Sequence, residues 1–172
     1  MKGLNYAKTY IFMIKLPYFH QKKDYTCGPA SLRMVFNFFG LKTNEEELKK
    51  SLRPNKRIGT KHGALIKVAR KKGFYCYIHK KANLHQLRNF IDQGFPVIVN
   101  YIEPESNEKH YSVVIGYNKK KIIMNDPWIG KNFKIKDKEF EKRWHGEHNK
   151  KWIMIISRKK FDTGKQYYPF KF

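Results

Sequence analysis

Cys27 is the residue of this sequence best suited to nucleophilic chemistry. Proline is favoured in the first turn of a helix, so Pro29 predicts that the following helix starts close to Cys27. The positive end of a helix dipole stabilises a thiolate, and Gly28 leaves room for another chain beside the sulfur. Most free cysteines are small buried apolar residues, but that role fits Cys76, which has aromatic neighbours, better than Cys27 beside polar Thr26. Cys27 is therefore the candidate nucleophile, and Gly28 is a candidate substrate-binding residue.

A thiolate nucleophile needs a nearby imidazole, and the imidazole needs a partner that fixes its tautomer. Seven histidines compete for this role. Two strand-like segments flank a turn at Asn118, and a hairpin centred there would place His110 directly opposite Asp126, about 5 Å away on the same face. A register shift of one residue would separate them. Taken singly, His110 could be an ordinary strand histidine and Asp126 an ordinary turn residue, but their matched positions favour a catalytic pair.

Gln21 is the candidate that could stabilise a negatively charged reaction intermediate. It lies six positions before Cys27. A neutral amide there can donate a hydrogen bond to an oxyanion without adding a competing charge, and the backbone N–H of Cys27 is the natural second donor. Because most glutamines are surface residues, Gln21 alone indicates little.

In combination, these motifs resemble those of the bacteriocin-leader-processing cysteine peptidases, a papain-like family also called double-glycine peptidases. The shared motifs are Gln-x5-Cys-Gly-Pro-Ala, Pro-Val-Ile-Val, His-Tyr-Ser-Val-Val-Ile-Gly-Tyr and Asp-Pro, within residues 14–157. The resemblance implies a papain-like α+β fold, in which the helix carrying the cysteine packs on an antiparallel sheet carrying the histidine. It implies Cys27 as nucleophile, His110 as general base and acid, Asp126 as its orienting partner, and Gln21 in the oxyanion hole.

The resemblance also implies a reaction, namely attack on a peptide carbonyl, formation of an acyl-enzyme and release by water. The expected partner is a peptide or protein substrate, and no cofactor is expected. Thr26 departs from the family pattern, since an acidic residue commonly precedes the cysteine. Many members are fused to membrane-exporter domains, whereas this sequence shows neither a membrane span nor an ATP-binding motif.

A polar loop is predicted over residues 102–109, immediately before His110. It carries three of the 14 acidic residues, Glu103, Glu105 and Glu108. We expect this loop to be solvated. In the alternative hypothesis it borders the substrate groove and favours a basic or N-terminal-amine substrate, with Glu108 as a substrate-binding residue. Gly63, in a predicted turn before a helix, is a further candidate substrate-binding residue.

The elements that position these residues follow from hydrophobic periodicity and capping residues. Helices are predicted near Cys27–Phe39, after Asn44 to Leu52, over Ala64–Lys72, over Leu84–Gln93 after the cap Asn83, and over Lys138–Trp144. Strands are predicted over Tyr10–Leu16, Phe74–His79, Pro96–Tyr101, Tyr111–Tyr117, Lys121–Met124, Phe133–Ile135 and Trp152–Ser157. Helices precede most strands, which indicates an α+β domain over residues 1–157, followed by a basic aromatic tail over 158–172.

Length and composition exclude several classes of protein. A chain of 172 residues with 41% hydrophobic residues forms about one folded domain rather than a disordered protein. Two cysteines exclude a disulfide framework and a Cys-rich zinc site. His145 and His148 have a metal-like spacing, but the intervening Gly146 favours a surface turn, so no metal is expected. No apolar run approaches the roughly 20 residues of a membrane span, and no export signal is recognised, so the cytoplasm is the expected compartment.

The net charge of +23 is the feature least explained by a peptidase. The lysines are spread along the whole chain, which favours a solvated basic surface over a dedicated nucleic-acid site. Attraction to nucleic acid, an anionic membrane or an acidic substrate is the alternative. The alternative functions are therefore an amidase or transpeptidase using the same triad, a basic nucleic-acid-binding protein, and an inactive peptide-binding protein. The sequence leaves the oligomeric state open.

Overall fold

The computed structural model describes residues 12–146, 150–162 and 164–171, which form an α+β fold of five helices and eight strands. The helices are α1 (Cys27–Phe38), α2 (Glu45–Leu52), α3 (His62–Lys71), α4 (Leu84–Asp92) and α5 (Asp137–Arg143). The strands are β1 (Phe12–Met13), β2 (Tyr75–His79), β3 (Val97–Ile102), β4 (Lys109–Tyr117), β5 (Lys121–Asp126), β6 (Gly130–Lys136), β7 (Ile153–Ser157) and β8 (Gln166–Tyr167).

One antiparallel sheet contains these strands in the order β6-β5-β4-β3-β7-β2-β8, and β1 pairs with β4. β1 ends at Met13 because β3 occupies the following part of the same edge of β4. Met13 pairs with Gly116, whereas β3 pairs with β4 from Val114 toward His110. The predicted strand 10–16 is therefore wrong beyond Met13, and its residues 10 and 11 lie outside the described residues.

Helix α1 is the central helix and positions Cys27 against the sheet. Nine of its 12 residues are buried, and it packs against β4 and α2. It begins at Cys27 as predicted, and the chain reverses at Gly40, whose φ of +78° is a left-handed conformation that favours glycine. The predicted arrangement, a cysteine-bearing helix on an antiparallel sheet that carries the histidine, is confirmed.

The capping residues predicted for two other helices are confirmed. The Asn44 side chain accepts a hydrogen bond from the Glu47 N–H, and Asn83 forms a capping box with Gln86. The predicted start of α3 was wrong by two residues, because the carbonyl of Lys61 already accepts the N–H of Ala64. Gly63 therefore lies in the first turn of α3 rather than in the preceding turn.

The predicted tail contributes to the sheet edge. Its residues Gln166 and Tyr167 form β8 against β2, and Arg70 Nε donates to the carbonyl of Tyr168 at 2.6 Å. The domain boundary after Ser157 stays a prediction. None of the described helices combines the length and the apolar composition needed to cross a bilayer.

Candidate active site

Cys27 is the first residue of α1, and its side chain is a buried free thiol. The first N–H groups of a helix have no intrahelical acceptor, so the N–H of Cys27 is available to a ligand beside the sulfur. Cys76 is also a buried free thiol, but desolvation by burial raises its pKa to about 12. The two cysteines therefore have the different environments that the sequence predicted.

His110 lies near the start of β4, and Asp126 is the last residue of β5. Their side chains meet, with His110 Nε2 3.0 Å from Asp126 Oδ1. The predicted hairpin register was nevertheless wrong by two residues, since Val114 pairs with Met124 rather than with Ile122. The register also shifts between Val114 and Gly116. A displacement of two residues keeps the same face of the sheet, so His110 meets Asp126 diagonally rather than directly across.

Asp126 is fully buried and accepts four hydrogen bonds. Oδ1 accepts from His110 Nε2 and from the backbone N–H groups of Trp128 and Ile129, each at 2.9 Å. Oδ2 accepts from the Tyr101 hydroxyl at 2.8 Å. Burial alone would raise the pKa of this carboxyl, but the interactions with His110, Ile129 and Tyr101 outweigh it and lower the pKa. Asp126 is therefore held as a carboxylate.

His110 interacts with Cys27 as well as with Asp126. Burial by itself lowers the pKa of His110, but the negative charge of a Cys27 thiolate and hydrogen bonds to Asp126 and Cys27 outweigh it. The pKa of His110 rises to about 10. Because Nε2 faces Asp126, Nδ1 is the ring nitrogen left for the sulfur. Cys27 and Asp126 therefore both raise the pKa of the His110 imidazole.

Tyr101 is a site residue that sequence reasoning missed. It is fully buried on β3, and in the pairing of β3 with β4 it lies directly opposite His110. The sequence analysis assigned it to an apolar buried strand, which left the hydroxyl out of account. A tyrosine at the end of such a run is the available signal, since a buried hydroxyl usually has a hydrogen-bond partner.

Two cavities are lined by candidate site residues, one by Cys27 and the other by His110. The Cys27 cavity has a volume of about 30 Å³, and its lining includes Cys27, Gly59, Thr60 and Asn100. The His110 cavity has a volume of about 80 Å³, and its lining includes His110, Gln21, Asp24, Glu103, Glu108 and Trp128. Larger cavities lie elsewhere on the molecule, but they are not lined by Cys27 or His110, and Lys109 lines both of these two.

The candidate residues Gly28 and Gly63 are placed differently. A Cβ added to Gly28 would lie 2.6 Å from Thr60 Cβ, so the chain that approaches Gly28 is the protein's own segment before α3. Through Thr60, Gly28 allows this segment to form a wall of the Cys27 cavity. Gly63 lines neither the Cys27 cavity nor the His110 cavity.

Gln21 is buried at the His110 cavity, and its backbone N–H donates to the carbonyl of Pro127 at 2.9 Å. This bond ties Gln21 to the residue after Asp126. The Nε2 group donates to the carbonyls of Lys23 at 2.7 Å and Asp24 at 3.1 Å. Both hydrogens of the amide thus support the loop before Cys27.

The loop between β3 and β4 is not fully solvated, so that expectation was wrong for Glu103. Its buried carboxylate accepts from the N–H of Glu105 at 2.8 Å and from both the N–H and the hydroxyl of Ser106. Glu103 therefore folds the loop around its own side chain. Glu105 and Glu108 are exposed as expected, and Glu108 lines the His110 cavity.

Glu45 is a second buried acid that the sequence analysis did not connect to the site. Its Oε1 accepts from the Thr26 hydroxyl at 2.7 Å and from the Lys22 N–H at 3.0 Å. The family pattern places an acid directly before the cysteine. Here Thr26 occupies that position and binds a carboxylate that comes from the first turn of α2.

No group of three or more potential metal ligands occurs in the described ranges. His145 is described as partly buried, whereas His148 lies outside the described residues, so the predicted surface turn between them is not tested.

The Peptidase_C39 like family model matches residues 13–151, which include Cys27, His110 and Asp126. The chain belongs to this family. It is a papain-like cysteine peptidase, as the sequence motifs predicted.

The C39-like chain is 34% identical over 136 residues to the transport/processing ATP-binding protein ComA of Streptococcus pneumoniae. That match covers 77% of this chain but 18% of ComA. The crystal structure of the peptidase domain of Streptococcus ComA, described as a bi-functional ABC transporter, matches with a TM-score of 0.69 at 25% identity. It covers 86% of this chain and 99% of that domain. A C39-like peptidase from Bacillus anthracis matches with a TM-score of 0.73 at 18% identity, covering 88% of this chain and 100% of that one, which shows the shared fold.

Proposed function

We propose that this C39-like peptidase hydrolyses a peptide bond of a peptide or protein substrate through an acyl-enzyme intermediate on Cys27. His110 acts as general base and acid, and Asp126 orients it. The observation that carries the proposal is the His110 ring, whose Nε2 lies 3.0 Å from Asp126 Oδ1 and whose pKa is raised by Cys27 as well as by Asp126. The raised pKa of His110 supports a protonated imidazole beside Cys27 in the resting enzyme.

In acylation, the Cys27 sulfur attacks the carbonyl carbon of the scissile bond. A C–S bond forms, and the carbonyl electron pair moves to the oxygen. As this intermediate collapses, the C–N bond breaks and His110 Nδ1 gives its proton to the leaving nitrogen. The products are a free amine and a thioester on Cys27.

In deacylation, the now neutral His110 takes a proton from water as the water oxygen attacks the thioester carbonyl. The C–S bond breaks, the sulfur leaves as a thiolate, and the carboxylic acid product is released. The proton taken from water remains on Nδ1, which restores the resting ion pair. Throughout this cycle Asp126 accepts from Nε2 and keeps that nitrogen protonated, so Nδ1 is the nitrogen that exchanges protons.

The oxyanion formed in each step needs hydrogen-bond donors. The N–H of Cys27 is one donor, because the start of α1 leaves it without an intrahelical acceptor. Gln21 is the second, and it reaches the oxyanion by moving one Nε2 hydrogen away from the carbonyl of Lys23 or Asp24. Gln21 thus binds the loop in the resting state and the oxyanion in the reaction.

A digest of a synthetic peptide library, analysed by mass spectrometry, tests this function. We expect specific cleavage by the wild-type protein, none by Cys27→Ala, and a thioester adduct on the peptide that contains Cys27 after acid quenching. A library left intact by the wild type, or cleaved equally by Cys27→Ala, contradicts the proposal. Adding a primary amine distinguishes hydrolysis from acyl transfer, because a transpeptidase would give amide products in place of free acids.

A further inference from the structure

We propose that the His110 cavity is a subsite for a positively charged side chain of the leaving segment, so that a basic residue directly after the scissile bond favours cleavage. This inference rests on the proposed function, because it uses the direction in which the products leave. His110 protonates the leaving nitrogen, so the leaving segment starts beside the imidazole. His110 lines the His110 cavity and Cys27 lines the other cavity, which assigns the leaving segment to the former.

The charges around this cavity are opposite to those of the rest of the molecule. The chain has a net charge of +23 and 14 acidic residues, yet three acids, Asp24, Glu103 and Glu108, line this one cavity against two cations, Lys109 and the protonated His110, so the net charge of its lining is negative. Within the described part of the chain, none of the three carboxylates forms a salt bridge. A concave site whose lining has a net charge of one sign concentrates its field on a ligand of the opposite sign.

A buried polar atom at this cavity also lacks a donor. Gln21 is 3% exposed, and its Oε1 has no hydrogen-bond partner among the described residues. Its Nε2 is directed to the carbonyls of Lys23 and Asp24, so the oxygen is the amide atom left over. An unpaired buried acceptor is unfavourable, and an ammonium or guanidinium N–H would satisfy it.

Trp128 provides an aromatic wall of the His110 cavity that also favours a cation. Trp128 is 42% exposed, and the His20 ring stacks on its indole ring with the ring centroids 6.2 Å apart. Cations are attracted to the face of an indole ring. The volume of about 80 Å³ admits the end of a lysine or arginine side chain, since a single water needs roughly 10–15 Å³ on this measure.

These contacts determine two variants that test the subsite and one control variant. Asp24→Asn and Glu108→Gln each remove one exposed charge from the cavity. Glu105→Gln removes the same charge from the same loop, but Glu105 does not line the cavity. Glu103 is left unchanged, because its carboxylate holds the loop together.

The experiment uses a peptide cleaved in the library digest, resynthesised with Lys, Gln or acetyl-lysine directly after the scissile bond. We expect a higher kcat/KM for Lys than for the two neutral residues. Asp24→Asn and Glu108→Gln should each lower the ratio of kcat/KM for the Lys peptide to that for the Gln peptide by roughly two- to fivefold, as expected for exposed ion pairs. Glu105→Gln should leave this ratio unchanged. Equal rates for the three peptides, or equal ratios in all variants, overturn the subsite but leave the peptidase function intact.

A binding measurement decides the subsite even if no peptide is cleaved. Cys27→Ala protein is titrated with Lys-Ala-amide and with Gln-Ala-amide while the indole N–H resonance of Trp128 is followed by NMR. Both ligands share the same terminal ammonium, so a difference between them isolates the side chain. Tighter binding of the lysine ligand, weakened by Asp24→Asn and Glu108→Gln and kept by Glu105→Gln, supports the proposal. Equal binding of the two ligands overturns it.

Discussion

Tyr101 and His110 lie directly opposite each other on β3 and β4, and both side chains bind the carboxylate of Asp126. The two oxygens of Asp126 have different partners, since Oδ2 accepts a hydrogen bond from the tyrosine hydroxyl and Oδ1 from the imidazole. Backbone donors at Trp128 and Ile129 complete the shell around Oδ1. The imidazole is therefore oriented by a carboxylate that has little freedom of its own.

The first prediction concerns Tyr101→Phe, which removes one hydroxyl and keeps the buried ring. The change leaves Asp126 Oδ2 without its donor in a fully buried position. We expect a loss of about 1–3 kcal/mol in the free energy of unfolding, measured by urea denaturation, together with a lower kcat. Tyr117→Phe is a matched control, because its hydroxyl binds Asp92 at the surface. Equal losses in both variants would contradict a special role for the Tyr101 hydroxyl.

The second prediction concerns Asp126→Asn, which removes the negative charge but leaves an oxygen that can accept from His110. The charge and the hydrogen bond of Asp126 both raise the pKa of His110. Without the charge, this pKa falls from about 10, so the alkaline limb of the pH–rate profile moves to lower pH. We expect kcat to fall by about 10²-fold, as for loss of general acid–base catalysis. An alkaline limb at the wild-type position would show that Asp126 does not tune His110.

The same pair predicts how stability depends on pH. The pKa of His110 is raised in the folded state, so its contribution is full below the ordinary value of 6.5 and is lost as pH rises through about 10. The pKa of Asp126 is lowered, so its contribution is present above the ordinary value of 3.8 and is lost as pH falls through the folded value. Unfolding followed from pH 3 to pH 11 should show both losses in the wild type and a flatter profile in Asp126→Asn.

The sequence predicted the contact between His110 and Asp126 better than it predicted the contacts that support them. Helix α1 was recognisable because proline, glycine and apolar spacing all favour a helix that starts at Cys27. The pairing of His110 with Asp126 survived a wrong register, because a shift of two residues preserves the face of a strand. Sequence pattern alone specifies the face more reliably than the position along the strand, since a bulge changes the register without changing the residue types.

The supporting contacts could not be predicted, because they join residues that are distant in the chain. Glu45 reaches Thr26 across 19 positions, and Tyr101 reaches Asp126 across 25. Glu45 has no local pattern that marks it as buried, and the position of Tyr101 at the end of an apolar run indicates a buried hydroxyl without indicating its partner. Glu103 was missed for a different reason, since an acidic residue in a polar loop is usually solvated, whereas here it binds the N–H groups of its own loop.

The fourth prediction distinguishes the two cysteines by their reactivity. Burial raises the pKa of Cys76 to about 12, so very little of it is thiolate near neutral pH. Cys27 lies beside His110 at the start of α1, an environment that favours the reactive thiolate. We expect iodoacetamide to label Cys27 at least 10²-fold faster than Cys76 in the native protein, measured by peptide mapping. His110→Ala should slow the labelling of Cys27 and leave that of Cys76 unchanged.

The last prediction concerns Gly28→Ala, which tests whether the glycine is needed for the approach of the segment before α3. The added Cβ would lie 2.6 Å from Thr60 Cβ, closer than real Cβ atoms come to other heavy atoms, so the chain at Thr60 must move. Because Thr60 and Gly59 line the Cys27 cavity, we expect both stability and kcat/KM to fall, stability by about 1–3 kcal/mol. The double variant Gly28→Ala/Thr60→Gly removes the clashing side chain and should recover part of kcat/KM relative to Gly28→Ala. Full activity of Gly28→Ala alone, or no recovery in the double variant, would show that the contact with Thr60 does not shape this cavity.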